Sequence, residues 1–164
     1  MRTTTLKPTS GFLSLTLILV LTGGVTGALS QDKNPLVGTW NANVEKSKRH
    51  PNHLFKSAKL RFNIAADLVT LTYSGVNMSG MEETGTTTFH PDGKGHPIEG
   101  APGVVEVSRW VDARTLETIV TKDGKVIGQS IYGVSSDGKT LTANLKGTDA
   151  SGAAFEQVIV WDRE

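Results

Sequence analysis

The chain has no cysteine. That absence excludes a thiol nucleophile, a disulfide framework and any thiolate metal site, whichever compartment receives the protein. An excess of charge is also missing, with 17 Lys+Arg against 16 Asp+Glu, so there is no basic surface to neutralise a phosphate backbone and no nucleic-acid partner is expected. No window of a dozen residues carries an apolar stripe at helical spacing. Signatures of common chemistries are absent as well: there is no serine in a nucleophile elbow, no glycine-rich phosphate loop before a helix and no His-Glu-x-x-His. Glu82 and Glu83 are adjacent, and adjacent strand residues point to opposite faces, so they form no catalytic dyad. These absences predict a protein that is not an enzyme and carries no cofactor.

What is present begins with a leader. "MRTTTLK" carries Arg2 and Lys7 with no acid, and "GFLSLTLILVLTG" from Gly11 is apolar and uncharged. The run is shorter than the roughly 20 residues that span a bilayer, and it ends in small residues, with Ala28 and Ser30 at signal-peptidase spacing. The pattern predicts a secretory signal peptide over residues 1–30, cleaved after Ser30, and one domain over residues 31–164. No cysteine stands near that site to take a lipid anchor. The expected protein is therefore secreted or periplasmic, without stable membrane insertion. Losing Arg2 and Lys7 leaves 15 Lys+Arg against 16 acids, a net charge of −1 on 134 residues. A chain of that length buries roughly two thirds of its unfolded surface, enough for a core without staples.

Along the remaining chain, period-two alternation recurs. It predicts strands at about Leu36 to Val44, Phe55 to Ile64, Asp67 to Gly75, Met81 to His90, Lys94 to Ile98, Gly103 to Val111, Arg114 to Thr121, Lys125 to Val134, Lys139 to Gly147 and Ala153 to Asp162. "PDGKG" at Pro91, "KDGK" at Lys122 and "SSDGKT" at Ser135 set Asp-Gly between such runs, and Asp-Gly supplies the positive φ of tight hairpins. Sequence neighbours should then be antiparallel neighbours in space. No proline or inward charge marks an edge strand, so the fold class expected is all-β, an antiparallel up-and-down meander closed into a single β-barrel of about 8 to 10 strands.

Closure brings the first and last strands together. "PLVGTWNANVEKSKR" opens the first strand and "VIVWDRE" ends the last, so Trp40 should meet Arg163. A guanidinium over an indole face contributes about 0.5 to 2 kcal/mol. Gly38, without a side chain, lets the strand bend or another group lie against the ring.

A Gly-x-Trp opening a strand, a β-meander, and an arginine at the end of the final strand resemble the calycin superfamily, the lipocalins and fatty-acid-binding proteins. With "GTWNANVEKSK", "DGKGHPIEG", "KDGKVIG", "SSDGKTLTANLKGTDASGAAF" and "VIVWDRE" together, nearly all of residues 35–164 is similar to secreted bacterial lipocalin-like proteins. The resemblance implies a β-barrel with Trp40 plugging the closed end and Arg163 across it. Three features depart from it. There is no Thr-Asp-Tyr-like motif, the last strand reads "FEQVIVWD" where fatty-acid-binding proteins place Arg-x-Tyr, and only about ten residues, Glu45 to Leu54, stand where those proteins insert two helices.

Parity then assigns the interior. Gly38, Ala42 and Val44 accompany Trp40. Leu60, Phe62 and Ile64, then Val69, Leu71 and Tyr73, then Leu141, Ala143 and Leu145 form apolar faces. Taking Val105, Val107 and Val111 as inward carries Arg109 with them; Glu83 follows Met81 and Phe89, and Ser130 and Tyr132 follow Val126 and Val134. A ten-stranded barrel leaves room for a ligand. The candidate ligand-binding residues are Arg109, Tyr132, Tyr73, Glu83 and Phe62. Arg109 is either a buried cation for an acidic head group or a rim residue reaching solvent or pairing with Glu83. The basic stretch "EKSKRHPNH" from Glu45 is either a cationic flap or a solvated turn. His50 and His53 fall in the first loop and His90 and His96 around the fourth, at opposite ends of a meander barrel, so no metal site is expected from them. The function expected is binding of a small hydrophobic or amphipathic molecule. The alternatives are a filled barrel whose loops bind a macromolecule at the cell envelope, and a small cavity enzyme using Glu83, Arg109 or Tyr132.

Overall fold

Alternating sequence and glycine-marked turns become ten antiparallel strands in a computed structural model that describes residues 34–149 and 151–164. The expected leader and its cleavage after Ser30 lie outside the described residues. The strands are β1 (Gly38–Lys48), β2 (Phe55–Ala65), β3 (Leu68–Asn77), β4 (Glu82–Phe89), β5 (Asp92–Pro97), β6 (Val104–Asp112), β7 (Thr115–Lys122), β8 (Lys125–Val134), β9 (Thr140–Thr148) and β10 (Ala154–Arg163). One short 3-10 turn, Pro51–His53, sits between β1 and β2, where Pro51 suits a first helical position and the His50 ring accepts the Asn52 backbone N–H at 3.3 Å.

All ten strands belong to one sheet in the order β4-β3-β2-β1-β10-β9-β8-β7-β6-β5. First and last strands therefore close on each other, with Trp40 opposite Arg163. Lys122 pairs with Lys125 around Asp123 (φ 49°) and Gly124 (φ 77°), the two positive φ values of a two-residue hairpin turn. The Asp-Gly at Asp92 behaves differently. Every consecutive pair of strands forms a ladder except β4 and β5, which are the two edges of the sheet. The expectation that "PDGKG" joins paired neighbours is thus corrected. The Asp92 N–H instead donates to the His90 carbonyl at 2.7 Å in a tight turn, and β5 pairs with β6, with Asp92 opposite Arg109. The barrel carries a seam there.

The sheet curls until opposite walls touch. Phe62 on β2 meets Tyr132 on β8 edge-on at 5.3 Å, and Phe89 on β4 lies 6.4 Å from the same ring. Such aromatic pairs contribute about 0.5 to 1.5 kcal/mol beyond their buried area. Around them Leu36, Leu116, Val69, Leu141 and Ile159 are buried.

Parity holds on β2, β3 and β9 and reverses on β6. Trp110 lies opposite Leu116, which lies opposite Tyr132, and directly opposed residues share a face. Glu106 and Ser108 are therefore buried inside, while Arg109 points out with a side chain that is 60% exposed and Val111 is 52% exposed. Three of the four β6 valines, Val105, Val107 and Val111, share the Arg109 parity, so valine count turns the wrong face inward; the row through Trp110, Leu116 and Tyr132 decides against it. Val126 is outside too, because an irregularity between Val120 and Thr121 puts it opposite Thr121 rather than on the face of Tyr132.

Candidate ligand cavity

The inner faces of the strands leave a cavity of about 1070 Å³ that opens between the 3-10 turn and the β3–β4 turn. One wall is Leu60 and Leu71 from β2 and β3; the facing wall is Ala143, Leu145 and Ile159 from β9 and β10. Trp161 lies one inward position beyond Ile159 along β10, in the row of Ala42 and Leu141, and so lines the end nearer Trp40. Polar groups gather toward the mouth, where His53, Asn77, Ser79, Glu83 and Gln157 line it.

Of the residues expected to bind ligand, Tyr132, Tyr73 and Glu83 line this cavity, and Phe62 stands behind Tyr132 rather than on its surface. Burial raises the Tyr132 phenol above its ordinary pKa, opposed in part by its hydrogen bond with Ser130. Tyr73 is raised by burial and then by the nearby Glu83 carboxylate. Both phenols stay protonated. Glu83 accepts from the Asn77 carboxamide at 2.8 Å.

Arg109 is corrected. Its guanidinium makes an ion pair of 2.6 Å with Glu117 on the outer face, and Glu117 also accepts from Gln129 at 2.8 Å. Those two donors, Gln129 first, lower the Glu117 pKa. Among the described residues no lysine or arginine lines the cavity or is buried. The buried cation for an acidic head group is therefore absent from this interior.

The basic stretch at the mouth is partly tied down. Arg49 donates to the Phe55 carbonyl at 2.7 Å and lies over its ring, while His53 packs on Phe155 at 4.4 Å. The other histidines meet at the seam, where the rings of His90 and His96 stack at 4.2 Å and His96 Nε2 lies 3.0 Å from Asp92. Beneath them Glu106 accepts from the Ser108 hydroxyl and from the His90 backbone N–H, and burial raises its pKa against the pull of His96. A carboxyl on β6 thereby holds the end of β4 across the unpaired edges.

Sequence reading missed Trp161, Gln157 and the Glu106–Ser108 pair. The signal for the first two was present, since Gln157, Ile159 and Trp161 share parity in "FEQVIVWD". For the third it was hidden because three of the four β6 valines lie on the outward parity.

At the opposite end, Leu36 is buried and its carbonyl accepts the Trp40 indole N–H at 3.0 Å. Arg163 covers the Trp40 ring at 4.0 Å and donates to the carbonyls of Gly138, Val37 and Pro35.

No family model and no curated protein matches the chain. Solved structures do. The fluorescent protein UnaG aligns with a TM-score of 0.52 at 16% identity, over 78% of this chain and 96% of its own. Rv2717c from M. tuberculosis aligns at 0.50 and 16%, over 82% of this chain and 96% of its own. The likeness is one of fold, a curled antiparallel β-barrel.

Proposed function

We propose that this chain is a non-enzymatic carrier that holds a small hydrophobic or amphipathic molecule inside its barrel, and that it works outside the cytoplasm after losing residues 1–30. The observation that carries the binding reading is the cavity itself, about 1070 Å³ with apolar walls and a mouth at one end. That volume is of the order of drug-sized to lipid-sized pockets. An interior filled by side chains, the rival reading, would leave no such space. Among the described residues no helix is long and apolar enough to cross a membrane.

The binding reading is tested by titrating the mature protein with N-phenyl-1-naphthylamine, an uncharged probe that fluoresces in apolar surroundings. Saturable one-to-one binding is expected, and its absence would sink the carrier. The processing reading is tested by N-terminal sequencing of protein exported by its source. A first residue of Gln31 is expected; an intact Met1 in a membrane pellet would overturn it.

A further inference from the structure

We infer that the molecule this barrel carries is a cationic amphiphile, with its ammonium head on Glu83 at the cavity mouth and its apolar tail along Leu60, Leu71 and Ile159. This deepens the carrier reading and rests on it. Glu83 stands opposite Gly75 of β3, and directly opposed residues share a face, so it turns inward with Tyr73 and Asn77. It lines the cavity and is exposed there, within reach of an incoming head group. Asn77 donates to one of its carboxylate oxygens at 2.8 Å; among the described residues nothing donates to the other, and no basic side chain pairs with it. Beside it the Tyr73 phenol lies over Gly75, where a Cβ would collide with the phenol oxygen. The carboxylate is near enough to add to the rise that burial gives the Tyr73 pKa. An unpaired carboxylate next to an aromatic ring suits an ammonium group, through charge-assisted contact with the one and attraction to the face of the other.

The sign of the ligand's charge follows from what else lines the cavity. Among the described residues, Glu83 is the one Asp, Glu, Lys or Arg that does. A carboxylate head would meet repulsion there and find no counter-charge, and an alcohol head would feel neither effect. The rim holds basic groups, but Arg49 is turned onto the Phe55 carbonyl and ring, the Lys56 ammonium lies against Gly80, and the His53 ring packs on Phe155. Because Glu83 is exposed, the head need not be stripped of its water, and the contact is worth what an exposed ion pair is worth, a few-fold in affinity. Glu82, next to it on β4, stands opposite Val76 on the outer face and supplies a control of equal charge.

The test displaces N-phenyl-1-naphthylamine from the mature protein with decyltrimethylammonium, decanoate or decanol, each below its micellar concentration, at pH 8 and low salt. The ammonium should displace the probe at a concentration at least about threefold lower than the carboxylate. Glu83→Gln keeps an oxygen for Asn77 and removes the charge. It should raise the ammonium concentration needed about three- to fivefold, lower that of decanoate and leave that of decanol within about twofold. Glu82→Gln removes the same charge from the outer face and should move none of the three by more than about twofold. A second measurement needs no variant: in the parent, about 0.5 M sodium chloride should narrow the gap between ammonium and carboxylate, because exposed charges are screened. An ammonium no better than the carboxylate, equal losses of ammonium binding in Glu83→Gln and Glu82→Gln, or a gap that salt leaves intact overturns the assignment while the carrier reading stands. Failure of the probe to bind at all sinks the carrier reading itself.

Discussion

The Arg163 guanidinium lies 4.0 Å over the Trp40 ring, and it can do so because Gly38 presents no side chain to it. A Cβ at Gly38 would stand 2.7 Å from Arg163 Nη1, and the Gly38 φ of 135° is one that other residues rarely adopt. The first and last strands are thereby fastened at the end remote from the cavity mouth. Trp40→Ala should cost about 3 to 5 kcal/mol, as buried aromatics do, and Arg163→Ala clearly less. Chemical denaturation of the three proteins checks the order; equal stability of Trp40→Ala and the parent would refute the plug.

Gly38→Ala should cost about 1 to 3 kcal/mol, the range for a residue held in a disfavoured backbone region. Part of that is collision with Arg163 and part is φ. Combining it with Arg163→Ala should remove only the first part, so the two losses should sum to more than the double variant shows. Strict additivity would mean that Arg163 and Gly38 do not share the site.

Arg109→Met should leave binding of both esters and carboxylates unchanged, because the guanidinium is on the outer face paired with Glu117. The stability loss should exceed about 1 kcal/mol, the value of a fully exposed ion pair, because the Glu117 side chain is only 10% exposed and loses one of its two donors. Glu117 has a lowered pKa, so it stabilises the fold above the ordinary carboxylate range, and that contribution fades as pH falls through its native pKa. The variant should show a weaker loss of stability on acidification than the parent. A changed ligand preference would put Arg109 back in the interior.

Glu106 has the opposite sign. Its pKa is raised chiefly by burial, so the fold favours the protonated carboxyl. Its contribution is fully present below the ordinary carboxylate pKa and is lost as pH rises through the raised native value. Glu106→Gln keeps an oxygen for Ser108 and the His90 N–H while removing the ionisation. Its melting temperature should match or exceed the parent's at pH 8 and give no such gain at pH 4. A parent protein more stable than Glu106→Gln at pH 8 would show the carboxylate to be welcome there.

By itself the sequence determined the class of fold. Alternation set the strands and Asp123–Gly124 set a hairpin through two positive φ values, because these are local periodicities and turn chemistries, and the closure expected of such a meander brought Trp40 to Arg163. What the tertiary structure alone decided was which face of β6 turns inward. Within the strand the valines favour burying the Arg109 face over that of Glu106, Ser108 and Trp110; the opposite choice was made across the sheet, where Trp110 lines up with Leu116 and Tyr132. The seam between β4 and β5 was likewise a matter of strand order, with β4 paired only to β3 and β5 only to β6. The unpartnered indole of Trp161 was a tertiary outcome too, since whether a donor is satisfied depends on what the far side of the barrel places against it.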